Sequence, residues 1–344
     1  INPLIWSTLL TGLVASTIIT MSSNHWLLAW FGLELNTLSI LPAIINPHHP
    51  RATEATTKYF LVQATAAAMI LLASIMSTWQ TGHWTITHTT PIATLLVTMA
   101  IMLKLGAAPM HMWYPHVLQG VTMNTAVLIS TWQKLAPLTL LYMTHSHLNH
   151  TTLLLLGLFS ALIGGWAGLN QTQTRTIMAF SSIAHMGWLI TAITISPSLT
   201  TLTMLTYMVM TAATFLPLAT TAKTITTTGT IWPLSPAALT TTMITLLSLG
   251  GLPPLTGFVP KWLILKELLA EGVPLIATLL LMSSLLSLFF YTRLAYLTML
   301  TVPPTTTNTE HQWRQKTNQL KHTAPAIMAS TLLLPMTTAL YTVT

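Results

Sequence analysis

Four ionisable side chains stand inside long apolar runs of this sequence: Glu34, Lys104, Lys134 and Lys261. A charge at the middle of a bilayer costs about 2.5–3.5 kcal/mol on an insertion scale, so four together cost roughly 10 kcal/mol or more and cannot all face lipid unpaired. Facing a hydrated interior they have a chemistry to offer. Burial and a neighbouring carboxylate pull a lysine's proton affinity in opposite senses, so a small change in surroundings switches it between holding and releasing a proton. One carboxylate for three lysines allows one close pair at most, and Glu34 with Lys104 is the pair expected. The bland alternative, buried ion pairs that only fix helix packing, leaves two lysines uncompensated. His185 falls in mid-span and His111 and His116 in a broken segment. Each is either a packed hydrogen-bonding residue or a bridge between lysines, since imidazole titrates near neutrality. His145, His147 and His150 have loose metal-ligand spacing, but no carboxylate or thiol stands with them, so no metal is assigned.

The elements that must position these groups announce themselves through glycine and proline. Lys104 lies about 20 Å into an apolar run that starts at Pro91, at about 1.5 Å per helical residue. Gly106 and Pro109 follow, and proline removes an N–H and clashes with the carbonyl four residues back, so the helix is expected to break there. The pattern Gly106, Pro109, Pro115 recurs 145 residues later as Gly251, Pro254, Pro260. Pro253 adds to the second break, and an aromatic precedes the last proline by two in both copies (Trp113, Phe258). A broken span beside an ionisable residue is the arrangement found where ions or protons cross, because freed backbone groups survive in lipid only where protein or water satisfies them. A simple proline kink with a lysine snorkelling to the interface is the competing reading.

The chain has 344 residues, 52% apolar and 5% charged, with no cysteine. Soluble domains carry about 25% charged residues, so this is an integral membrane protein. No disulfide, thiolate metal site or iron–sulfur site is possible without cysteine. The net charge of +7 is scattered and forms no basic patch with aromatic partners, which excludes nucleic acid. There is no glycine-rich nucleotide loop and no other sign of a cofactor on the chain itself. The N-terminus enters an apolar run at once, without a basic leader; it is expected to insert as it is made or to follow a presequence already lost.

Windows of about twenty apolar residues predict an all-α polytopic fold of about eleven spans, near 4–21, 25–45, 56–79, 91–117, 122–144, 151–169, 175–195, 199–222, 237–265, 273–298 and 323–342. Arg51, Lys58, Arg175, Lys223, Arg314, Lys316 and Lys321 then fall on one side and Lys266 on the other, the positive-inside bias. The N-terminus is expected on the positive side and the C-terminus opposite. Spans four and nine are five crossings apart, so the repeat is expected to be inverted: 1–145 against 146–300, then a polar loop at 301–322 and a C-terminal helix at 323–344, all one membrane domain.

In three stretches, KLGAAPMHMWYPHVLQG (104–120), STWQKLAP (130–137) and GGLPPLTGFVPKW (250–262), the chain resembles the antiporter-like membrane subunits of respiratory complex I, which are related to subunits of multisubunit sodium/proton antiporters. The resemblance covers essentially the whole chain. It implies a channel lysine at Lys104 partnered by Glu34, a central relay lysine at Lys134 and a terminal lysine at Lys261. It implies redox-driven proton translocation in the mitochondrial inner membrane, the N-terminus on the matrix side, among other membrane-arm subunits and lipids. NADH, FMN, iron–sulfur clusters and ubiquinone would sit on other subunits. The chain departs from the pattern at His116, where relatives usually carry an acid. Two rivals stand beside this reading: a self-sufficient cation/proton antiporter, which needs more intramembrane carboxylate than Glu34 supplies, and a non-pumping structural subunit, which has no use for two broken helices and three buried lysines.

Overall fold

The computed structural model describes residues 3–46, 48–218 and 236–300, and also 224, 324, 328, 330 and 331. The loop at 301–322 and most of 323–344 lie outside the described residues, as does Lys223. Among the described residues the chain is helical throughout, with two isolated β-bridges, His25 to Thr85 and Gln173 to Thr224.

Two compact units divide the chain, Ile1–Leu156 and Gly157–Thr344. The first holds α1 (Pro3–Ser22), α2 (Trp26–Ile45), α3 (Pro50–Thr81), α4 (Pro91–Leu105), α5 (Trp113–Gly120), α6 (Met123–Ser130), α7 (Leu135–Thr144) and the start of α8 (His150–Gly168). The second holds the rest of α8, then α9 (Thr174–Ile195), α10 (Pro197–Leu218), α11 (Pro236–Gly250), α12 (Phe258–Ala270) and α13 (Pro274–Leu300). Among the described residues seven helices, α1, α2, α3, α8, α9, α10 and α13, are long and apolar enough to cross a membrane. The starts are set locally. Pro50 and Pro91 occupy the first turns of α3 and α4, where a missing N–H costs nothing, and His25 and His49 cap α2 and α3 by accepting from the N–H of Leu27 and Arg51.

Polarity is distributed as a bilayer demands. Leu4, Trp79, Trp166 and Leu275 stand exposed among many large apolar side chains, while serines and threonines such as Ser16, Thr20, Thr203, Thr206 and Thr245 are buried. Their hydroxyls donate to carbonyls three residues back on the same helix, so they enter an apolar interior without an orphaned donor. In the first unit α1, α2, α3 and α4 pack in chain order and α7 lies against α1, α2 and α4; in the second, α9 packs on α10, α12 and α13, and α11 on α10 and α13.

The fourth and ninth runs are interrupted in the same way. α4 ends at Gly106 with φ of +69° and α11 at Gly251 with φ of +83°, the left-handed conformation that glycine adopts at least cost. In both, the glycine N–H returns to the carbonyl three residues back and the next N–H to the carbonyl five back: Gly106 to Leu103 and Ala107 to Met102, Gly251 to Ser248 and Leu252 to Leu247. This is the Schellman arrangement. α5 and α12 resume after seven residues in each case, and Ala108–Pro109 in the first break is cis. The fifth run departs from expectation. It is not one helix over 122–144 but two, α6 and α7, joined by a 3₁₀ turn at Trp132–Lys134. Pro137 is the reason: without an N–H it fits the first turn of a new helix but not the interior of a continuous one.

Candidate functional site

In the first unit the break of α4 leaves carbonyls that would be orphans in lipid. The Gln63 amide donates to Lys104 O at 3.5 Å, and the Trp113 indole adds a second bond, at 3.1 Å, to Leu103 O, which already accepts from Gly106 N–H. Beside the break lies a small cavity, with room for about one water. Both Lys104 and Lys134 line it, together with Tyr59, Gln63, Tyr114 and Gln133. Lys104 is 6% exposed and Lys134 2%. The Lys104 ammonium has no hydrogen-bond partner among the described residues, a cost that only water in the cavity or a transient partner can offset. Lys134, at the end of the 3₁₀ turn, sits 5.0 Å from the centre of the Tyr114 ring, a cation–π contact.

A buried amide network that the sequence reading overlooked lines the same cavity. The Tyr59 hydroxyl donates to Gln133 Oε1 at 3.4 Å, and Gln133 Nε2 donates to Asn36 Oδ1 at 3.2 Å. The signal was present, since Asn36, Gln63 and Gln133 are amides in apolar spans and burying an amide demands partners as burying a charge does.

The close Glu34–Lys104 pair does not form. The ion pair among the described residues is Lys58 with Glu54, one turn apart on the exposed face of α3. Glu34 is half-buried and its carboxylate accepts instead from the Thr37 hydroxyl at 3.1 Å on its own helix. Its field still reaches Lys104 and Tyr59; Glu34 acts on the site from beside it. His111 is buried in the break but does not line the cavity. His116 is exposed and faces Glu54, so the cavity gathers the two lysines and neither of these histidines.

In the second unit Lys261, from the first turn of α12, turns back across the break and donates to Gly250 O, the last carbonyl of α11, at 3.0 Å. A helix C-terminus carries the negative end of the backbone dipole and readily holds a cation. Gly251 makes the approach possible: a Cβ there would fall 3.0 Å from Lys261 Nζ and 3.2 Å from its Cδ. A small cavity, with room for about one water, opens beside it, lined by Lys261, His185, Trp188, Thr203, Thr206 and Tyr207. Lys261 Nζ lies 6.0 Å from the Trp188 ring centre, and the His185 ring packs on Tyr207 with centroids 5.5 Å apart. Pro253 and Pro254 lie in the break, and Thr256, at its end, donates its hydroxyl to Ser330 O. Arg293, a half-buried cation also missed in the sequence, donates to Leu169 O at 2.8 Å just past the end of α8.

Fold and site together define a polytopic helical membrane protein of the antiporter type, with buried lysines at interrupted spans. The comparisons agree. The transmembrane family described as NADH:quinone oxidoreductase/Mrp antiporter matches residues 23–287, and the NADH dehydrogenase subunit 2 C-terminus family matches 288–341. A Carassius auratus protein named NADH-ubiquinone oxidoreductase chain 2 is 52% identical over 100% of this chain and 99% of its own length, and a Gallus gallus protein of that name is 53% identical over 96% of each. A chain in the structure of respiratory complex I from Thermus thermophilus with bound aureothin superposes with a TM-score of 0.79 at 26% identity, over 95% of this chain and 78% of that one. One from the Mrp complex of a Dietzia species also reaches 0.79, at 17% identity over 86% and 61%, a likeness of fold. The chain belongs to the NADH-ubiquinone oxidoreductase chain 2 family.

Proposed function

We propose that this chain is a proton-translocating membrane-arm subunit of respiratory complex I in the mitochondrial inner membrane. It couples NADH oxidation and ubiquinone reduction, carried out on other subunits, to proton movement. The observation that carries the reading is the repeated construction: in each unit a lysine, buried in the first and half-buried in the second, and a small cavity with polar groups in its lining meet at an interrupted helix. Lys104 and Lys134, sharing one cavity, exchange protons with its contents; Lys261 does so in the second unit; Glu34 sets the field at Lys104. His185, which borders the second cavity, is the stronger relay candidate, while His111 and His116 would act only outside the cavities. Eleven spans, inverted repeats and a matrix-side N-terminus belong to this proposal, as do the other antiporter-like subunits as neighbours.

The test is lysine replacement in the intact complex, purified and placed in liposomes. Lys104→Met and Lys261→Met are each expected to lower the protons moved per NADH oxidised by several-fold while the complex still assembles. Undiminished pumping in both variants overturns the reading.

The match to the Mrp family favours a second reading, exchange of a metal cation for protons by this chain. It calls for carboxylates at the cavities, and Glu34, the one acid close to either, is turned to Thr37. Pumping that requires sodium and is abolished by Glu34→Gln would support it; pumping indifferent to sodium removes it.

A further inference from the structure

In the second unit one residue ties the lysine's anchor to the histidine. Tyr291 on α13 is 1% exposed. Its ring covers Gly250, where a Cβ would meet Tyr291 Cδ2 at 3.8 Å, and Gly250 is the residue whose carbonyl receives the Lys261 ammonium. Its hydroxyl lies 3.4 Å from His185 Nε2 and faces the Ser181 side chain. Ser181, His185 and Trp188 occupy positions i, i+4 and i+7 of α9, one face of that helix, and all three turn toward Tyr291 or Lys261. Ser181 donates its own proton to Met178 O, so its oxygen is left to accept. A tyrosine hydroxyl can donate to one of these neighbours and accept from the other, and which it does for His185 depends on the imidazole tautomer.

We propose that Tyr291 is a positioning residue for His185: its hydroxyl holds the imidazole at the rim of the Lys261 cavity in the orientation and tautomer that exchange protons with it. The inference rests on the proton-translocating reading above. Phenylalanine keeps the ring that packs on Gly250 and on Phe290 and removes only the hydroxyl, so Tyr291→Phe separates packing from positioning.

The experiment compares Tyr291→Phe, Tyr291→Leu, His185→Gln, the double variant Tyr291→Phe with His185→Gln, and Lys261→Met, each as intact complex in liposomes. Assembly, electron-transfer rate and protons per NADH are read for each. Tyr291→Phe is expected to assemble as the parent does and to lose two-fold or more of its pumping, roughly the loss given by His185→Gln; the double variant is expected to lose no more than His185→Gln alone, the non-additivity of groups acting as one. Tyr291→Leu additionally loses assembly. Full pumping by Tyr291→Phe while Lys261→Met fails overturns this inference and leaves the proton reading standing, as does a double variant in which the two losses multiply. Full pumping by Lys261→Met removes Lys261 from the path and this inference with it, and the reading beneath falls if Lys104→Met also pumps fully.

Discussion

Glu34 and Lys104 show how a charge can belong to a site without touching its partner. Removing one member of a contacting buried ion pair costs about 3–5 kcal/mol, much of it the exposed need of the charge left behind. Here the Thr37 hydroxyl donates to Glu34's own backbone carbonyl at 2.8 Å and lies 3.1 Å from its carboxylate, while the ammonium faces a cavity, so the two charges do not hydrogen-bond to each other. Glu34→Gln is therefore expected to leave assembly within about two-fold of the parent and to change pumping through the field at Lys104, which falls off with distance and effective dielectric. Combining it with Lys104→Met should give no recovery of assembly over the worse single variant. Recovery, read as the yield of intact complex, would mean that the carboxylate closes onto the ammonium in the working enzyme. This pairing was beyond the reach of sequence because Thr37, one turn along the same helix, competes for the carboxylate, and only coordinates say which partner wins.

The helix breaks were legible at the level of elements because glycine and proline carry their backbone consequences with them wherever they stand. Gly106 and Gly251 take the same left-handed turn, and the spacing alone placed them. The break within 122–144 had a weaker signal, Pro137, which also fits an ordinary kink; the 3₁₀ turn that seats Lys134 over Tyr114 follows from packing. The Tyr59–Gln133–Asn36 network joins three helical segments; amides in apolar spans signal that its members need partners, but no local pattern says which of them meet. A glycine-to-alanine comparison tests what the second break is for. Gly82 and Gly251 both have positive φ, +74° and +83°, but a Cβ at Gly82 meets nothing within 4 Å while one at Gly251 meets Lys261. Placing a side chain in the left-handed region costs about 1–2 kcal/mol. Gly82→Ala should show that cost as a small loss of thermal stability and pump normally. Gly251→Ala should lose pumping as well, several-fold, because Lys261 is pushed off Gly250 O. Equal behaviour of the two variants would reduce Gly251 to a turn former.

At the scale of the molecule, the arrangement of charge in the first unit makes its proposed orientation testable. α3 has 32 residues and is about 48 Å long at about 1.5 Å per residue, more than the roughly 30 Å hydrocarbon core, so both ends reach an aqueous boundary. One end carries Arg51 and Lys58, and there the Arg51 carbonyl lies against Gly120 at the end of α5, 2.6 Å from where a Cβ would stand. At the other end the α1–α2 turn and the α3–α4 loop are pinned together: Trp26 N donates to Trp84 O and Ile86 N to Asn24 O, both at 3.1 Å, and His25 stacks on Trp84. That end has histidines and no lysine or arginine. On the proposed orientation the positive-inside bias leads us to expect 46–55 on the matrix side and 80–90 on the intermembrane-space side. Because the chain contains no cysteine, a single introduced thiol reports its own side. Thr53→Cys and Thr87→Cys, both at exposed positions, are expected to differ when mitoplasts are treated with a membrane-impermeant maleimide: Thr87→Cys reacts in intact mitoplasts, and Thr53→Cys reacts only after the membrane is opened by detergent. The reverse pattern turns the whole first unit over, placing Lys104 on a path that starts from the opposite compartment, and labelling of both in intact mitoplasts would show that the two ends of α3 do not lie across a membrane at all.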